Sequence, residues 1–248
     1  MEPFYFGERR LLGLYHPPEG PARGNGVLIC PPVLGEYMRT HGCLRHLAIE
    51  LAARGNHVLR FDYSCTGDSS GIIQEASTIA WREDILHANK ELQEISGVTS
   101  VTIIGVRLGA TLALSAANDG LAARHLVLWD PIEDGSDYLK ELYATYEALI
   151  ASHWHLTSSD LQEARHSRTG YALGDPLLQG IASLHVADPA SNVQRLTVLL
   201  TEKAQFESGR WQRRTGDCHF VDHDCDWGTY AERAIFGRPV IEELAQRV

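Results

Sequence analysis

One stretch constrains the fold more than any other: residues 99 to 120, TSVTIIGVRLGATLALSAANDG. A β-branched apolar run ends in Gly105-Val106-Arg107-Leu108-Gly109 and passes directly into an Ala/Leu-rich helical pattern. The outline is that of a strand–turn–helix elbow, which in its catalytic form reads Gly-x-Ser-x-Gly. Here arginine holds the central position, and a permanently protonated guanidinium cannot act as a nucleophile.

Around that elbow the chain alternates strand and helix. FYFGE and RLLGLYHP read as an opening antiparallel pair, and GVLICPP as a short buried strand stopped by Pro31 and Pro32. In HGCLRHLAIELAARG, Leu44, Leu47, Ala48 and Leu51 fall on one helical face, and Gly55 supplies the stop. HVLRFD is the next strand, STIAWREDILHANKELQEI the next amphipathic helix, and HLVLWD follows the helix that begins at Gly109. Strands alternating with helices imply a mostly parallel sheet covered on both faces. After Pro131 the alternation stops, and up to about residue 195 there are helical patterns such as SDYLKELYATYEALIASHW but no strand pattern. An insertion of this length inside a sheet reads as a lid rather than a bare loop. The sheet resumes with RLTVLLTE and DCHFVDH, and RPVIEELAQRV closes it as an amphipathic helix. The expected organisation is residues 1–130 as the first part of a core, 131–195 as a helical cap and 196–248 as the second part of the core.

The 248 residues suffice for one large domain with a substantial core, and they contain no internal repeat or low-complexity segment. A net charge of −10 speaks against a nucleic-acid surface, which needs a basic footprint. No apolar run approaches the ~20 residues that cross a bilayer. MEPFYFGERRLLG lacks the continuous apolar core of a signal peptide. Five cysteines without regular spacing read as free thiols in a reducing compartment. The expectation is a cytoplasmic protein with no membrane span and no nucleic-acid partner.

Four segments carry a family likeness: PPVLGEYMRTH, VLRFDYSCTGDSSG, GVRLGATLA and LVLWDPIEDGSDYL. Through them the chain resembles the α/β-hydrolases over nearly its full length. It is more closely similar to their serine-aminopeptidase-like group, including the exosortase-system-associated hydrolases. The resemblance implies an α/β-hydrolase fold with a helical cap inserted after the sixth strand, in a group where arginine also occurs at the elbow. It implies catalytic groups at the carboxyl ends of the strands, in the chain order nucleophile, acid, histidine. Asp130, ending LVLWD, and Glu202, ending TVLLTE, are then the two candidate acids. His223, just after the last strand, is the first candidate base and His219 the second. The oxyanion donors would be the backbone N–H of Leu108 and one from the Val33–Leu34 loop. The partner implied is a small-molecule or carrier-bound acyl substrate, and no cofactor is implied.

The nucleophile has to be sought elsewhere. Gly67-Asp68-Ser69-Ser70-Gly71 spells the elbow motif but follows HVLRFD, so Ser69 reads as a turn residue bonding nearby backbone. Cys65 stands where related sequences carry glycine, in RFDYxGTGDS, and a thiol needs less activation than a hydroxyl. It is the candidate nucleophile, with a packed and unreactive thiol as the alternative. Arg107 either pairs with Glu36 or Asp130 and plugs the site, or binds a substrate carboxylate or phosphate through its planar fork. Cys218, His219, His223 and Cys225 do not suit zinc, because on a strand Cys218 points away from the other three, so no metal is expected. On the cap, Tyr138, Leu142, Tyr146 and Leu149 recur at helical spacing, packing the cap down or roofing a pocket.

Two classes of function stay open. One is an enzyme acting on an acyl ester or thioester (hydrolase, acyltransferase or cyclase), with Cys65, His223 and Asp130 as nucleophile, base and orienter. The other keeps the pocket without the nucleophile. It binds an anionic small molecule through Arg107, or uses His223 as a general base in a non-covalent step.

Overall fold

The computed structural model describes residues 1–153, 169–186, 192–228, 234, 235 and 237–248. Eight strands form one sheet: β1 Glu2–Phe6, β2 Leu11–His16, β3 Asn25–Cys30, β4 His57–Phe61, β5 Ser100–Val106, β6 Ala123–Trp129, β7 Val193–Leu200 and β8 Cys218–Phe220. Their order is β1-β2-β4-β3-β5-β6-β7-β8, and β2 alone runs against its neighbours. Val106 opposes Trp129, and Trp129 opposes Leu199, so the carboxyl ends of β5, β6 and β7 lie level. That level edge carries the candidate site.

The helices among the described residues are α1 Leu34–Ala53, α2 Thr78–Ser96, α3 Leu108–Asn118, α4 Gly135–His153, α5 Asp175–Ala182, α6 Lys203–Glu207 and α7 Arg238–Arg247. Val27 and Leu28 are both buried, the first in a cluster with α1 and α7, the second in one with α2 and α3. Burial on both faces is why these strands read as unbroken apolar runs. Ser77 starts α2 by accepting the Ala80 N–H at 3.1 Å, and Gly97 ends it in the left-handed conformation, φ 70°.

The helical insertion after β6 is present as α4 and α5, whose Tyr138, Leu139, Leu177 and Ile181 join the core cluster of α2 and α3. The seam is close: a Cβ on Gly135 would overlap the Ile181 carbonyl oxygen. Two elements differ from their expected extents. α1 begins at Leu34, well before His41, because the turns ahead of His41 lack an apolar stripe while still fitting a helix. β8 ends at Phe220, where the His223 N–H turns back to the Val221 carbonyl at 2.8 Å. No described helix is long and apolar enough to cross a membrane.

Candidate functional site

β5 passes into α3 at Arg107, whose φ of 52° and ψ of −123° lie where side-chain-bearing residues are disfavoured. The two glycines of the motif permit that turn. A Cβ on Gly105 would lie 2.5 Å from the Ala110 Cα, and one on Gly109 2.2 Å from the Pro31 carbonyl oxygen. Their role is close backbone approach, and it is indifferent to the residue between them. Leu34, the first residue of α1, also has a positive φ of 56°. Neither α1 nor α3 has a side-chain N-cap, so the helix-opening N–H groups of Leu34 and Leu108 are left without that partner.

The Arg107 side chain is 3% exposed and lies among carboxylates. Its Nε donates to Glu36 Oε1 at 2.9 Å. Nη2 donates to both oxygens of Glu141, at 3.0 and 3.2 Å, and Nη1 lies 3.6 Å from Glu202 Oε1. Tyr138 donates to the other Glu36 oxygen at 3.0 Å. The guanidinium carbon lies 5.7 Å from the Tyr138 ring centre and 5.1 Å from that of Trp227. Glu36 is buried, whereas the Glu141 and Glu202 side chains are 39% and 47% exposed. Burial alone would lower the Arg107 pKa, but Glu36 and Glu141 outweigh it and hold the guanidinium charged. Burial raises Glu36 against the pull of Arg107. Burial also raises Glu202, with Arg107 opposing and Asp130 adding to the rise.

Of the two intramolecular partners expected for Arg107, Glu36 is one and Asp130 is not. Asp130 is fully buried at the end of β6, with φ 43°. It accepts hydrogen bonds from the Thr201 N–H at 2.7 Å, from the Thr201 hydroxyl, and from Trp227 Nε1 at 2.8 Å. Both carboxylate oxygens are thereby engaged, and neither meets a histidine. His223 lies against Gly237, its ring 3.2 Å from where a Cβ there would sit, and makes no side-chain hydrogen bond among the described residues. His219 is committed elsewhere, to Asp217 and Arg247. Among the described residues neither candidate acid, Asp130 or Glu202, makes a hydrogen bond to a histidine, although Glu202 and His223 line one cavity.

Cys65 is also apart from these groups. It has φ 65°, so it occupies the glycine-favoring turn that the sequence comparison marked, and its Sγ packs on Gly71. Burial raises its thiol pKa, with Glu75 and Asp84 adding to the rise. Four strands separate β4, which Cys65 follows, from β8, which His223 follows. At ~4.8 Å per strand that is roughly 24 Å across the sheet. The structure therefore does not bring Cys65, His223 and Asp130 together. Ser69 is a turn residue: its hydroxyl accepts the Leu12 N–H at 2.8 Å and donates to the Asp62 carbonyl at 2.7 Å. Among the described residues no group of three or more His, Cys, Asp or Glu side chains could hold a metal ion.

Beside the Arg107 cluster a cavity of about 340 Å³ opens between the end of β7 and the loop after β8. Glu202, His223, Phe220 and Trp227 line it, together with Asp222, Asp224 and Asp226. Glu141, Glu202, Thr201 and Trp227 are the site residues that sequence reading missed in these roles. Glu141 had one visible signal: it lies one helical turn from Tyr138, on the face that meets the elbow.

No protein-family model and no curated protein matches the sequence. Solved structures do match. Alpha/beta hydrolase domain-containing protein 10 from mouse aligns over 100% of this chain and 96% of its own, at 16% identity and a TM-score of 0.63. An alpha-beta serine hydrolase homologue from Coxiella burnetii aligns over 100% and 97%, at 15% identity and 0.59. The bottromycin epimerase BotH, solved with bottromycin A2, aligns over 98% and 96%, at 17% identity and 0.56. This chain has the α/β-hydrolase fold.

Proposed function

We propose that the chain is a non-hydrolytic member of its fold, which binds a small molecule at the strand ends without forming an acyl-enzyme. One observation carries this reading: the elbow position holds a buried arginine already neutralised by Glu36, Glu141 and Glu202. An acyl-enzyme needs a nucleophile within hydrogen-bond reach of a base, and Asp130 is spent on Thr201 and Trp227 instead of orienting one. The thiol route through Cys65 lacks its expected base, since His223 follows β8, roughly 24 Å across the sheet. An anion held by Arg107 would have to displace Glu141 or Glu202, and it would meet Glu36 behind them. The surplus of carboxylates, with Trp227 and Phe220 in the adjoining cavity, favours a ligand with a positively charged or amine group.

A second reading has its own support. Glu202 is half-exposed, faces the cavity, and has its pKa raised by burial, which suits a group that takes and returns a proton. A non-covalent proton transfer by Glu202 would then use the same pocket. That one protein of this fold is named an epimerase supports the compatibility of the frame with such chemistry.

The test is intact-protein mass spectrometry after exposure to acyl thioesters and activated esters, with Arg107→Ser alongside. The expected result is no acyl adduct on the wild-type chain. Arg107→Ser should also gain no esterase activity, because the acid and the histidine are not joined. A turnover-competent adduct on Cys65 or any other residue overturns the proposal.

A further inference from the structure

A second cavity lies at the opposite edge of the sheet from Arg107. Its volume is about 310 Å³, within the ~300–1,000 Å³ range of small-molecule sites. Thr102, Arg124, His125, Gln194, Arg195 and Arg247 line it, together with Val248. Its polar side chains are rich in hydrogen-bond donors. Three of them are guanidinium groups, in a molecule whose net charge is −10.

Two of the arginines are held in place from behind. Asp217 Oδ2 accepts from Arg195 Nε at 2.9 Å and Nη2 at 2.7 Å, and from Thr197 Oγ1 at 2.6 Å. Its Oδ1 accepts from Arg247 Nη1 at 3.3 Å, and Arg247 Nη2 donates to Glu243 at 3.1 Å. His125, 5% exposed, closes the back of this network through a 2.7 Å contact between Nε2 and the Thr197 hydroxyl. Arg195 keeps Nη1 uncommitted. The Arg124 side chain makes no ion pair or hydrogen bond among the described residues. One carboxylate thus fixes two guanidinium groups at the cavity wall, and a third faces the same space unspent.

We propose that this cavity binds a phosphate group, either as the free ion or as the end of a phosphorylated small molecule. A phosphate dianion offers acceptors to several guanidinium groups at once, and arginine's planar fork matches it in geometry as well as charge. The ordering entropy of Arg195 and Arg247 is already met by Asp217, so binding does not bear that cost. The site is independent of the Arg107 cluster, which lies at the carboxyl ends of the strands.

Calorimetric titration of the whole chain at low salt tests this, with inorganic phosphate and phenyl phosphate as probes. Saturable one-to-one binding is expected for at least one of them. Arg124→Glu, which breaks no internal contact, should weaken it by about tenfold or more, the usual loss for one charge-assisted contact. Arg124→Lys should weaken it less, since the point charge remains. Tighter binding of phenyl phosphate identifies an organic phosphate as the ligand class, and equal or weaker binding identifies the ion itself. The proposal is overturned if neither probe saturates up to ~20 mM, well above millimolar affinity. It is equally overturned if Arg124→Glu binds like wild type, or if binding is lost in Glu141→Gln while Arg124→Glu retains it.

Discussion

Arg107 combines two costs in one residue, a backbone state worth ~1–3 kcal/mol of strain and a buried charge. Both are tolerated because the surroundings determine the position twice over. The glycines fix the turn, and Glu36, Glu141 and Glu202 fix the charge. Removing the buried partner should therefore be severe. Glu36→Ala is expected to lower the unfolding free energy by about 3–5 kcal/mol in chemical denaturation. Glu36→Ala combined with Arg107→Met should lose less than the two single changes added together, by ~1 kcal/mol or more, since each single change removes the buried partner of the other. Additive losses would mean that the two side chains act separately. This pair was readable in the sequence, because a buried guanidinium needs an acid and Glu36 follows the strand next to the elbow. Glu141 was not, since an acidic residue on an amphipathic helix is ordinarily a solvent-facing one. Asp130 was offered as a partner of Arg107 because its actual donors, Thr201 and Trp227, are 71 and 97 residues away in sequence.

The strand–turn–helix unit is where periodicity and glycine spacing said most. β5, α3 and the handover at Arg107 could be placed from the apolar run and two glycines, because both glycines answer to backbone contacts that hold whatever residue lies between. The start of α1 and the end of β8 were less legible. Each is set by a local backbone turn rather than by a hydrophobic stripe. The same unit yields a test of the packing argument. Gly109→Ala places a Cβ against main-chain oxygens of Pro31 and Cys30, which cannot swing away as a side chain could. The expected cost is about 1–3 kcal/mol, read as a lowered melting temperature with the β3–α1 loop perturbed. A melting temperature equal to wild type would show that the loop can shift without penalty.

Across the whole molecule, two buried histidines contribute to the response to acid. Burial, with help from Arg60, lowers His16 to about 4. Burial, with help from Arg195, lowers His125 to about 4. An unfolded histidine titrates near ~6.5, so between that value and 4 the unfolded chain takes up protons that the folded chain refuses. The stability these residues contribute is complete above ~6.5 and is lost as the pH falls toward 4. Glu36 and Glu202 act in the opposite sense, since their raised pKa values favour the folded state as the pH falls. Replacing both histidines isolates their share. His16→Gln with His125→Gln should flatten the fall in denaturation midpoint between pH 7 and pH 5, removing an uptake of about two protons on unfolding. An unchanged pH slope would refute the assignment.

One consequence follows from where Glu141 sits. It belongs to α4, so the helical insertion after β6 supplies part of the charge that neutralises the elbow. Moving α4 away would take Glu141 from Arg107 and leave Glu36 and Glu202 beside it. A ligand group that took the place of Glu141 on Arg107 would be linked to the position of α4, each shifting the other by the same free energy. A guest that leaves Glu141 seated enters under a closed roof from the Glu202 side, whereas one that takes its place must bring a matching charge.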